Sequence, residues 1–448
     1  MAWWRRILLT AGLSLLFTLS AQGYASEEMP PEESKEVEKL PPTRAERWRQ
    51  KRKDKSKELK SPKKQFWESY LFGFDQKGNQ SLEDSNFWGF YPRIDWIARG
   101  SGAALGFRYW RPGAKGKVDV MGSAFYSYRK YQHYDIDVGM IPNRGKKIPH
   151  SSFASDKILR LADVDYKRFE RFKLYATARY RYKPEEKYFG SGPDTNQEDE
   201  TTFLLEDSLF GVTTGLQFTD RIAWTLSGGY IKHRVGPGRR RRSVPPVGEV
   251  HDEESAPGIS NSPDYFRVST HLIWDRRDHP RVPHKGFTLS FGWEKWNEVT
   301  PYNLYNFHQW GGEARAFIPL GSKQRVLALR AFGVNSDPSP GNQVPFFLQP
   351  SLGGGETLRG FDSYRFRGDK LMLLQAEYRW EASRRWELAL FGDTGTVANQ
   401  GERISLNSLK SDWGVGVRFR PSRSTLIRID QAFSNEGAKT QVRVSAVF

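Results

Sequence analysis

The chain alternates apolar and polar residues along much of its length, in segments of about ten residues. In segment 371–380, Met, Leu, Ala, Tyr and Trp occupy the even positions, and Gln, Glu and Arg occupy the last three odd ones. Successive side chains of a β-strand point to opposite faces, so this pattern predicts a strand with one apolar and one polar face. Such strands are typical of a transmembrane β-barrel, with lipid outside and water inside.

The pattern predicts sixteen strands after residue 86, an even number, as single-chain bacterial barrels have. The predicted strands are 87–97, 103–110, 117–131, 157–166, 172–182, 208–218, 221–233, 265–274, 286–296, 304–317, 325–334, 371–380, 385–395, 412–420, 425–432 and 440–448. The predicted fold is therefore all-β: a sixteen-stranded antiparallel transmembrane barrel spanning residues 86–448, with a loop plugged into its lumen.

The connections between the predicted strands alternate in length. Short turns at 219–220, 319–324, 381–384 and 421–424 alternate with long segments at 183–207, 234–264, 335–370 and 396–411. Short periplasmic turns and long external loops alternate in this way in outer-membrane barrels. Both ends of the barrel are then expected in the periplasm.

Composition agrees with this fold and excludes several kinds of site. A mean hydropathy of −0.68 is compatible with a barrel, because only alternate residues face lipid. The aromatic fraction of 14% suits the girdles at the two membrane interfaces. The absence of cysteine excludes disulfides, thiolate nucleophiles and cysteine metal sites.

Residues 1–25 are predicted to be a cleaved signal peptide. Arg5 and Arg6 precede an apolar run at 7–19, and a cleavage site follows at 23–25. The alternative is an N-terminal membrane anchor, but the run is too short to span a bilayer comfortably. With the barrel pattern, this predicts a bacterial outer-membrane location.

Residues 26–85 differ in composition from the rest of the chain. They are acidic and Pro-rich at 27–38 and strongly basic at 44–64, with little that could build a core. We expect a charged, largely disordered periplasmic tether, in which 44–59 could form a helix on a partner or an anionic surface. The formal net charge of +17 then indicates lipid headgroups or lipopolysaccharide rather than nucleic acid as the opposite charge.

A Gly-rich stretch at 353–369 precedes a clearly alternating strand, and it contains Arg359. Side-chain parity points Glu377 and Asp393 into the lumen from the next two predicted strands. We predict that this loop enters the lumen and that Arg359 pairs with both carboxylates, which a guanidinium fork suits. The alternative is that these are ordinary lumenal charges without mutual contact.

These motifs resemble those of the BamA/TamA superfamily of outer-membrane assembly and translocation barrels. Gly-Gly-Glu-Thr-Leu-Arg-Gly-Phe at 354–361 is similar to its lumenal-loop motif, and Phe-Gly-Asp-Thr-Gly at 391–395 to its Phe-x-Asp-x-Gly strand motif. The resemblance implies a loop locked by the arginine and a weak seam between the first and last strands. The implied site comprises the loop residues Gly354, Gly355, Leu358, Arg359, Gly360 and Phe361 and the wall residues Glu377, Phe391, Asp393 and Gly395.

The resemblance has one departure. Members that act in assembly or secretion carry periplasmic polypeptide-transport-associated domains before the barrel, whereas only the charged tether precedes this one. We therefore expect a member reduced to the barrel, of the bacterial surface antigen type.

The last predicted strand carries a second signal. Its outward face holds Val442, Val444, Ala446 and the C-terminal Phe448. A chain that ends on an outward aromatic residue resembles the signal read by the bacterial barrel-assembly machinery. That machinery is therefore the expected partner for insertion of this barrel.

The expected function is assistance in inserting or translocating protein, or lipid, at the outer membrane, with outer-membrane proteins as the clients. A passive or substrate-selective pore is the first alternative, and a lipid-modifying enzyme is the second. No catalytic residue, cofactor or metal site is expected, because the histidines lack metal-binding spacing and no Gly-x-Ser-x-Gly elbow is present. Ser269 and His271 share one strand face, as many residue pairs do.

Overall fold

The computed structural model describes two separate parts of the chain. In the first unit, residues 1–64, it describes residues 44, 46, 48, 50, 51 and 54, which are helical and exposed. In the second unit, residues 65–448, it describes residues 89–444 except 96, 99, 112–117, 141–171, 220, 240–243, 280–281, 384 and 420–426. The predicted signal peptide, most of the predicted tether, the predicted strand 157–166, Ala446 and Phe448 therefore lie outside the described residues.

Sixteen strands form one antiparallel sheet, which confirms the predicted fold class. They are β1 (Gly89–Asp95), β2 (Ala104–Arg111), β3 (Asp119–Ser127), β4 (Gln132–Met140), β5 (Phe172–Tyr188), β6 (Thr201–Thr219), β7 (Ile222–Pro237), β8 (Tyr265–Asp275), β9 (Gly286–Glu298), β10 (Phe307–Leu320), β11 (Ser322–Pro338), β14 (Lys370–Glu381), β15 (Trp386–Ala398), β16 (Lys410–Phe419), β17 (Ile427–Ser434) and β18 (Gly437–Val444). Each strand pairs with the next in this order, and within the described residues no ladder joins β1 to β18.

The connection between β11 and β14 contains two short strands that pair with each other, β12 (Ser351–Leu352) and β13 (Phe366–Arg367). In the connections that the structure describes, single 3₁₀ turns lie at Gln197–Asp199, Val247–Glu249 and Leu406–Ser408. Among the residues that the structure describes, no helix is long and apolar enough to cross a membrane.

The sheet is polar on its buried face and apolar on its exposed face. In β15, Leu388 and Leu390 are 41% and 54% exposed, whereas Glu387 and Asp393 are buried. Arg428 and Asp430 of β17 are fully buried, and Ile429 between them is 49% exposed. This is the reverse of a soluble protein, and it is the arrangement of a barrel wall in lipid.

Aromatic side chains mark both edges of the apolar face. Trp274 contacts Phe287, and Trp386 contacts Phe419, at the end where short turns join the strands. Trp413 contacts Phe433 toward the opposite end, which carries the long loops. Aromatic girdles of this kind lie at the two membrane interfaces. We call these two ends of the barrel the turn end and the loop end.

The predicted count of sixteen was right, but one strand was assigned wrongly. The segment 117–131 was predicted as one strand, whereas β3 ends at Ser127 and a tight turn leads into β4. Lys130 in this turn has a positive φ of 68°, a conformation unusual for a non-glycine residue. β4 pairs directly with β5, so no other strand lies between them in the described sheet.

Several strands extend farther toward the loop end than predicted. β5, β6 and β7 contain 17, 19 and 16 residues, so they project beyond the ten-residue segments that the alternation indicated. Their loop-end side chains pack with residues of the loops 238–264 and 339–350 into an apolar core. That core comprises Tyr188, Phe203, Leu205, Leu209, Ile231, Val247, Ala256, Tyr265, Trp296, Tyr305, Phe307, Val344, Phe346, Phe347 and Leu348.

A charge introduced on the lipid face should destabilise the barrel. We expect Leu390→Arg to lower the free energy of unfolding by about 2–4 kcal/mol, because it places a cation near the middle of the bilayer. The measurement is urea unfolding of the protein in lipid vesicles. The control is Leu406→Arg, since Leu406 is 63% exposed in the loop after β15. Equal effects of the two substitutions would contradict the assignment of the lipid face.

Candidate functional site

The connection 353–369, called the plug loop here, is folded tightly on itself. Gly353 and Gly354 have φ of 109° and 86°, values that only glycine adopts readily. The Thr357 hydroxyl accepts a hydrogen bond from the Gly353 amide at 2.8 Å, and the Gly354 amide donates to the Phe361 carbonyl at 3.1 Å. The glycines therefore allow a compact loop that presents its side chains in fixed directions.

One side of the plug loop is apolar and packs against the inner wall. Leu358 and Phe361 are fully buried, and the Phe361 ring lies 5.2 Å from that of Phe366 in an edge-on arrangement. The rest of this cluster comes from β11, β12, β14 and β15, and comprises Phe332, Val334, Leu352, Leu371, Leu373 and Val397. These apolar contacts hold the loop against the wall independently of its charged side chains.

The Arg359 guanidinium lies between two carboxylates of the wall. Its Nε and Nη2 donate to the two oxygens of Asp393 at 2.6 and 2.8 Å, and its Nη1 donates to Glu377 Oε2 at 2.8 Å. The guanidinium carbon also lies 3.4 Å from the centre of the Phe391 ring. Because Arg359, Glu377 and Asp393 are almost completely buried, this is a dry, bidentate ion pair.

Further arginines complete the charge balance around Glu377. Arg379 Nε lies 2.6 Å from Glu377 Oε1, and Arg418 Nη2 lies 2.6 Å from Oε2. Arg418 also donates to Glu387 at 2.8 Å. Glu377 is thus shared by three guanidinium groups, so the wall is an ionic network rather than a set of isolated pairs.

Asp412 is a member of the site that the sequence analysis missed. It lies directly opposite Asp393 in the pairing of β15 with β16, and its Oδ2 accepts the Gly360 amide at 3.0 Å. A Cβ at Gly360 would lie 2.7 Å from the Asp412 Cβ, so glycine permits this approach. The inward parity of Asp412 was visible in the sequence, but its alignment with Asp393 required the strand register.

Polar side chains of the wall also bind the backbone of the plug loop. Arg330 donates to the Glu356 carbonyl at 2.9 Å and to Gln375 Oε1 at 2.7 Å. Gln375 in turn donates to the Thr357 carbonyl at 2.7 Å and to Asp393 at 3.0 Å. These backbone contacts could not be predicted from side-chain types, because any residue provides a carbonyl.

The plug loop is bonded to the last hairpin, β17–β18, as well as to the wall. Three side chains of this hairpin reach the loop backbone or its acid: Arg428 donates to the Gly355 carbonyl at 2.7 Å, Ser434 to the Gly360 carbonyl at 2.9 Å, and Arg443 to the Glu356 side chain at 2.5 Å. Two more ion pairs follow, Lys439–Asp362 and Arg365–Glu436, at 2.9 and 2.8 Å.

On its opposite side the plug loop reaches the connection between β5 and β6. Arg365 donates to the carbonyl and the hydroxyl of Thr195 at 2.6 and 2.7 Å, and its guanidinium carbon lies 5.0 Å from the centre of the Phe189 ring. Asp362 lies 3.7 Å from Lys187. The plug loop thus spans the lumen from β5–β6 to β17–β18.

Neighbouring groups shift the pKa values of two aspartates of the plug loop. Burial alone would raise the pKa of Asp362, but Lys439 and Lys187 lower it below its ordinary value. Burial raises the pKa of Asp369, at the end of the loop, to about 6, although hydrogen bonds from Gln349 and the Gln400 amide oppose this. Asp362 is therefore a firmly charged anchor.

The remaining predicted residues are placed as follows. Gly395 lies on β15, where an added Cβ would be 2.6 Å from the Met372 carbonyl oxygen, so its role is close packing. Val442 is 56% exposed on β18. The side chain of Val444 and residues Ala446 and Phe448 lie outside the part of the chain that the structure describes. The C-terminal assembly signal therefore stays a prediction.

Comparison with known proteins gives one family and several similar structures. Residues 165–446 match the family model described as the Omp85 superfamily domain. No curated protein matches the chain. The crystal structure of BamA from Haemophilus ducreyi lacking POTRA domains 1–3 is similar with a TM-score of 0.53 and 13% identity, covering 82% of this chain and 76% of that one. At this identity the likeness concerns the fold.

Two further solved structures have lower similarity scores. CdiB from Escherichia coli has a TM-score of 0.47 and 12% identity, covering 84% of this chain and 70% of that one. CdiB from Acinetobacter baumannii has a TM-score of 0.44 and 10% identity, covering 76% of this chain and 56% of that one.

Removing the Arg359 guanidinium should destabilise the protein strongly. We expect Arg359→Ala to cost about 3–5 kcal/mol, because it leaves the buried Asp393 carboxylate without its guanidinium partner and removes one of the three guanidinium groups around Glu377. Arg359→Lys should recover part of this loss, since an ammonium keeps the charge but not the fork. Both are measured by urea unfolding in vesicles.

The control for this series is Arg234→Ala. Its side chain is 71% exposed and pairs with Glu206 at 3.3 Å, so we expect a change below about 1 kcal/mol. If Arg359→Ala were as mild as this control, the ion pair would not hold the plug loop.

Proposed function

The chain belongs to the Omp85 superfamily, and from this premise we propose that it assists the insertion or translocation of protein, or of lipid, at the outer membrane. It is an outer-membrane β-barrel, and barrels of this family are non-enzymatic transporters and insertases. The family resemblance drawn from the sequence motifs is thereby confirmed.

The observation that carries the proposal is the double attachment of the plug loop. One set of contacts ties it to the wall through Arg359, and another ties it to the last hairpin through Arg428 and Arg443. The hairpin is therefore held from inside the lumen by side chains, in addition to the backbone ladder that joins β17 to β16. Such a hairpin suits a role in which the end of the sheet moves.

The mechanism that we propose uses the edge of the sheet. Strand β18 ends the ladder, and an edge strand offers unpaired N–H and C=O groups to an incoming strand. A client strand would add to this edge at the seam with β1, where the membrane is locally thinned. Arg359, Glu377 and Asp393 would keep the plug loop in the lumen while the seam opens, so that the barrel does not leak.

Specific partners follow from this proposal. Client outer-membrane proteins would meet the seam, while the barrel-assembly machinery would insert the barrel itself through its C-terminal signal. Outer-membrane lipid surrounds the barrel. Export through a signal peptide at 1–25 is part of the same proposal.

The enzyme alternative finds no support in the location of its candidate residues. Ser269 and His271 lie on the inner face of β8, and both are almost completely buried, next to Arg267 and Glu294. A lipid substrate approaching from the bilayer would meet the outer face of the strand instead.

The pore alternative rests on the charged inner wall, and it makes a different prediction. If the barrel conducts, deletion of residues 353–369 should raise a conductance that wild-type protein already shows in planar bilayers, since the plug loop spans the lumen. Under our proposal wild-type protein is closed, and Arg359→Ala gives intermittent openings. A steady wild-type conductance that Arg359→Ala leaves unchanged would favour the pore.

Depletion of the protein in its host tests the proposed function directly. We expect several unrelated outer-membrane barrels to fall together in quantitative proteomics, and expression of wild-type protein or Arg234→Ala to restore them. Arg359→Ala should restore them poorly at equal barrel abundance. A fall of one partner alone would indicate a dedicated transporter, and no fall at all would refute the assembly role.

A further inference from the structure

The outer face of β8–β11 has three successive rows of residues at the loop end. Strand register places Lys295 of β9 directly opposite His308 of β10. Two residues nearer the middle of the barrel, Trp293 lies opposite Trp310. In the next row Phe291 lies opposite Leu272 of β8. Charge, aromatic ring and apolar side chain therefore follow one another along a single outward face.

This order matches the depth profile of a lipid leaflet. Phe291 and Leu272 are 51% and 47% exposed, as acyl-facing side chains are, and Trp310 is 49% exposed. The rings of Trp293 and His308 are 5.7 Å apart. Tryptophan prefers the interface between acyl chains and headgroups, so Lys295 and His308 lie at headgroup level.

A polar depression lies immediately beyond the aromatic row, at the headgroup level. Its volume is about 280 Å³, and its lining includes Lys295, Asn297, Asn303, Asn306 and Asn342. Asn306 is fixed by its own hydrogen bonds: it donates to Asn303 and Asn342, and it accepts the Glu298 amide at 2.8 Å. The wall of the depression is therefore preformed.

Two lining side chains face the depression with their hydrogen-bonding capacity unused. Within the described residues, the side chains of Lys295 and Asn297 take part in no ion pair or hydrogen bond, and Lys295 is exposed. The nearest acid in this row is Asp337, which lies opposite His308 on the side away from Lys295. Lys295 would therefore attract an anion on one side of His308, and Asp337 would repel an anion on the other side.

We propose that this surface binds a phosphorylated glycolipid of the outer leaflet. Lys295 would bind the phosphate, and the amides of the depression would bind sugar hydroxyls. Trp293 and Trp310 would lie at the junction of sugar and acyl chains, and Phe291 and Leu272 along the chains. The alternation of short and long connections places this loop end outside the cell, where such a lipid would be found.

The asparagine-lined depression favours a sugar over a simple phospholipid headgroup. The depression has a volume of about 280 Å³, and its lining includes four asparagine side chains. Side-chain amides offer both donors and acceptors, as hydroxyl groups require. A glycerol phosphate would leave most of these groups to water.

The test is the affinity of the purified full chain, in neutral detergent micelles, for diphosphoryl lipid A, measured by native mass spectrometry. We expect Lys295→Ala to weaken binding about five-fold, since one lysine near an anionic surface contributes about 1 kcal/mol. Asn297→Ala should weaken it as well, and the enzymatically dephosphorylated lipid should bind wild type and Lys295→Ala equally. None of these residues contacts the plug loop, so folding should be unchanged.

The matched control is Lys232→Ala, which removes an exposed outward lysine from β7. It should leave the affinity unchanged. An equal loss with Lys232→Ala, or equal competition by phosphatidylglycerol, would overturn the proposal in favour of unspecific attraction between cations and phosphate. An affinity that Asn297→Ala leaves unchanged would overturn the sugar-binding role of the depression.

Discussion

The rest of the interior depends on one guanidinium group held between two carboxylates. Arg359, Glu377 and Asp393 are almost completely buried, and a buried charge is tolerated only where partners and hydrogen bonds replace its lost water. This requirement extends outward from the pair, because Glu377 also needs Arg379 and Arg418. The plug loop, the wall and the last strands are therefore parts of one electrostatic network.

The plug loop contacts its two sides in different ways. The apolar side of the plug loop packs on β11, β14 and β15, whereas its contacts with β17–β18 are hydrogen bonds and ion pairs. Polar contacts can be replaced one at a time by water or by another polar group. The proposed function requires the loop to stay in place while the last hairpin changes its partners, and this division of contacts is the basis on which we propose it.

The outer surface follows a different constraint, the depth profile of the bilayer. Apolar side chains occupy the middle of the strands, and tryptophan rings mark the interfaces at both ends. Above the loop-end ring the face becomes polar within two residues, at Lys295 and His308. The proposed glycolipid site lies at this change from aromatic to polar side chains, on the outer face of the barrel and away from the plug loop.

The sequence alone determined the fold class, most of the strands and the face that their residues occupy, because side-chain alternation is a local property of an extended chain. It therefore placed Glu377 and Asp393 on the inner wall and identified the family from two short motifs. The tertiary structure decided what depends on distant partners: the register that sets Asp412 opposite Asp393, the turn that separates β3 from β4, and the contact of Phe346 with Tyr188 in the loop-end core. Alternation carries no information about which residue of one strand meets which residue of the next, or about which loops pack together.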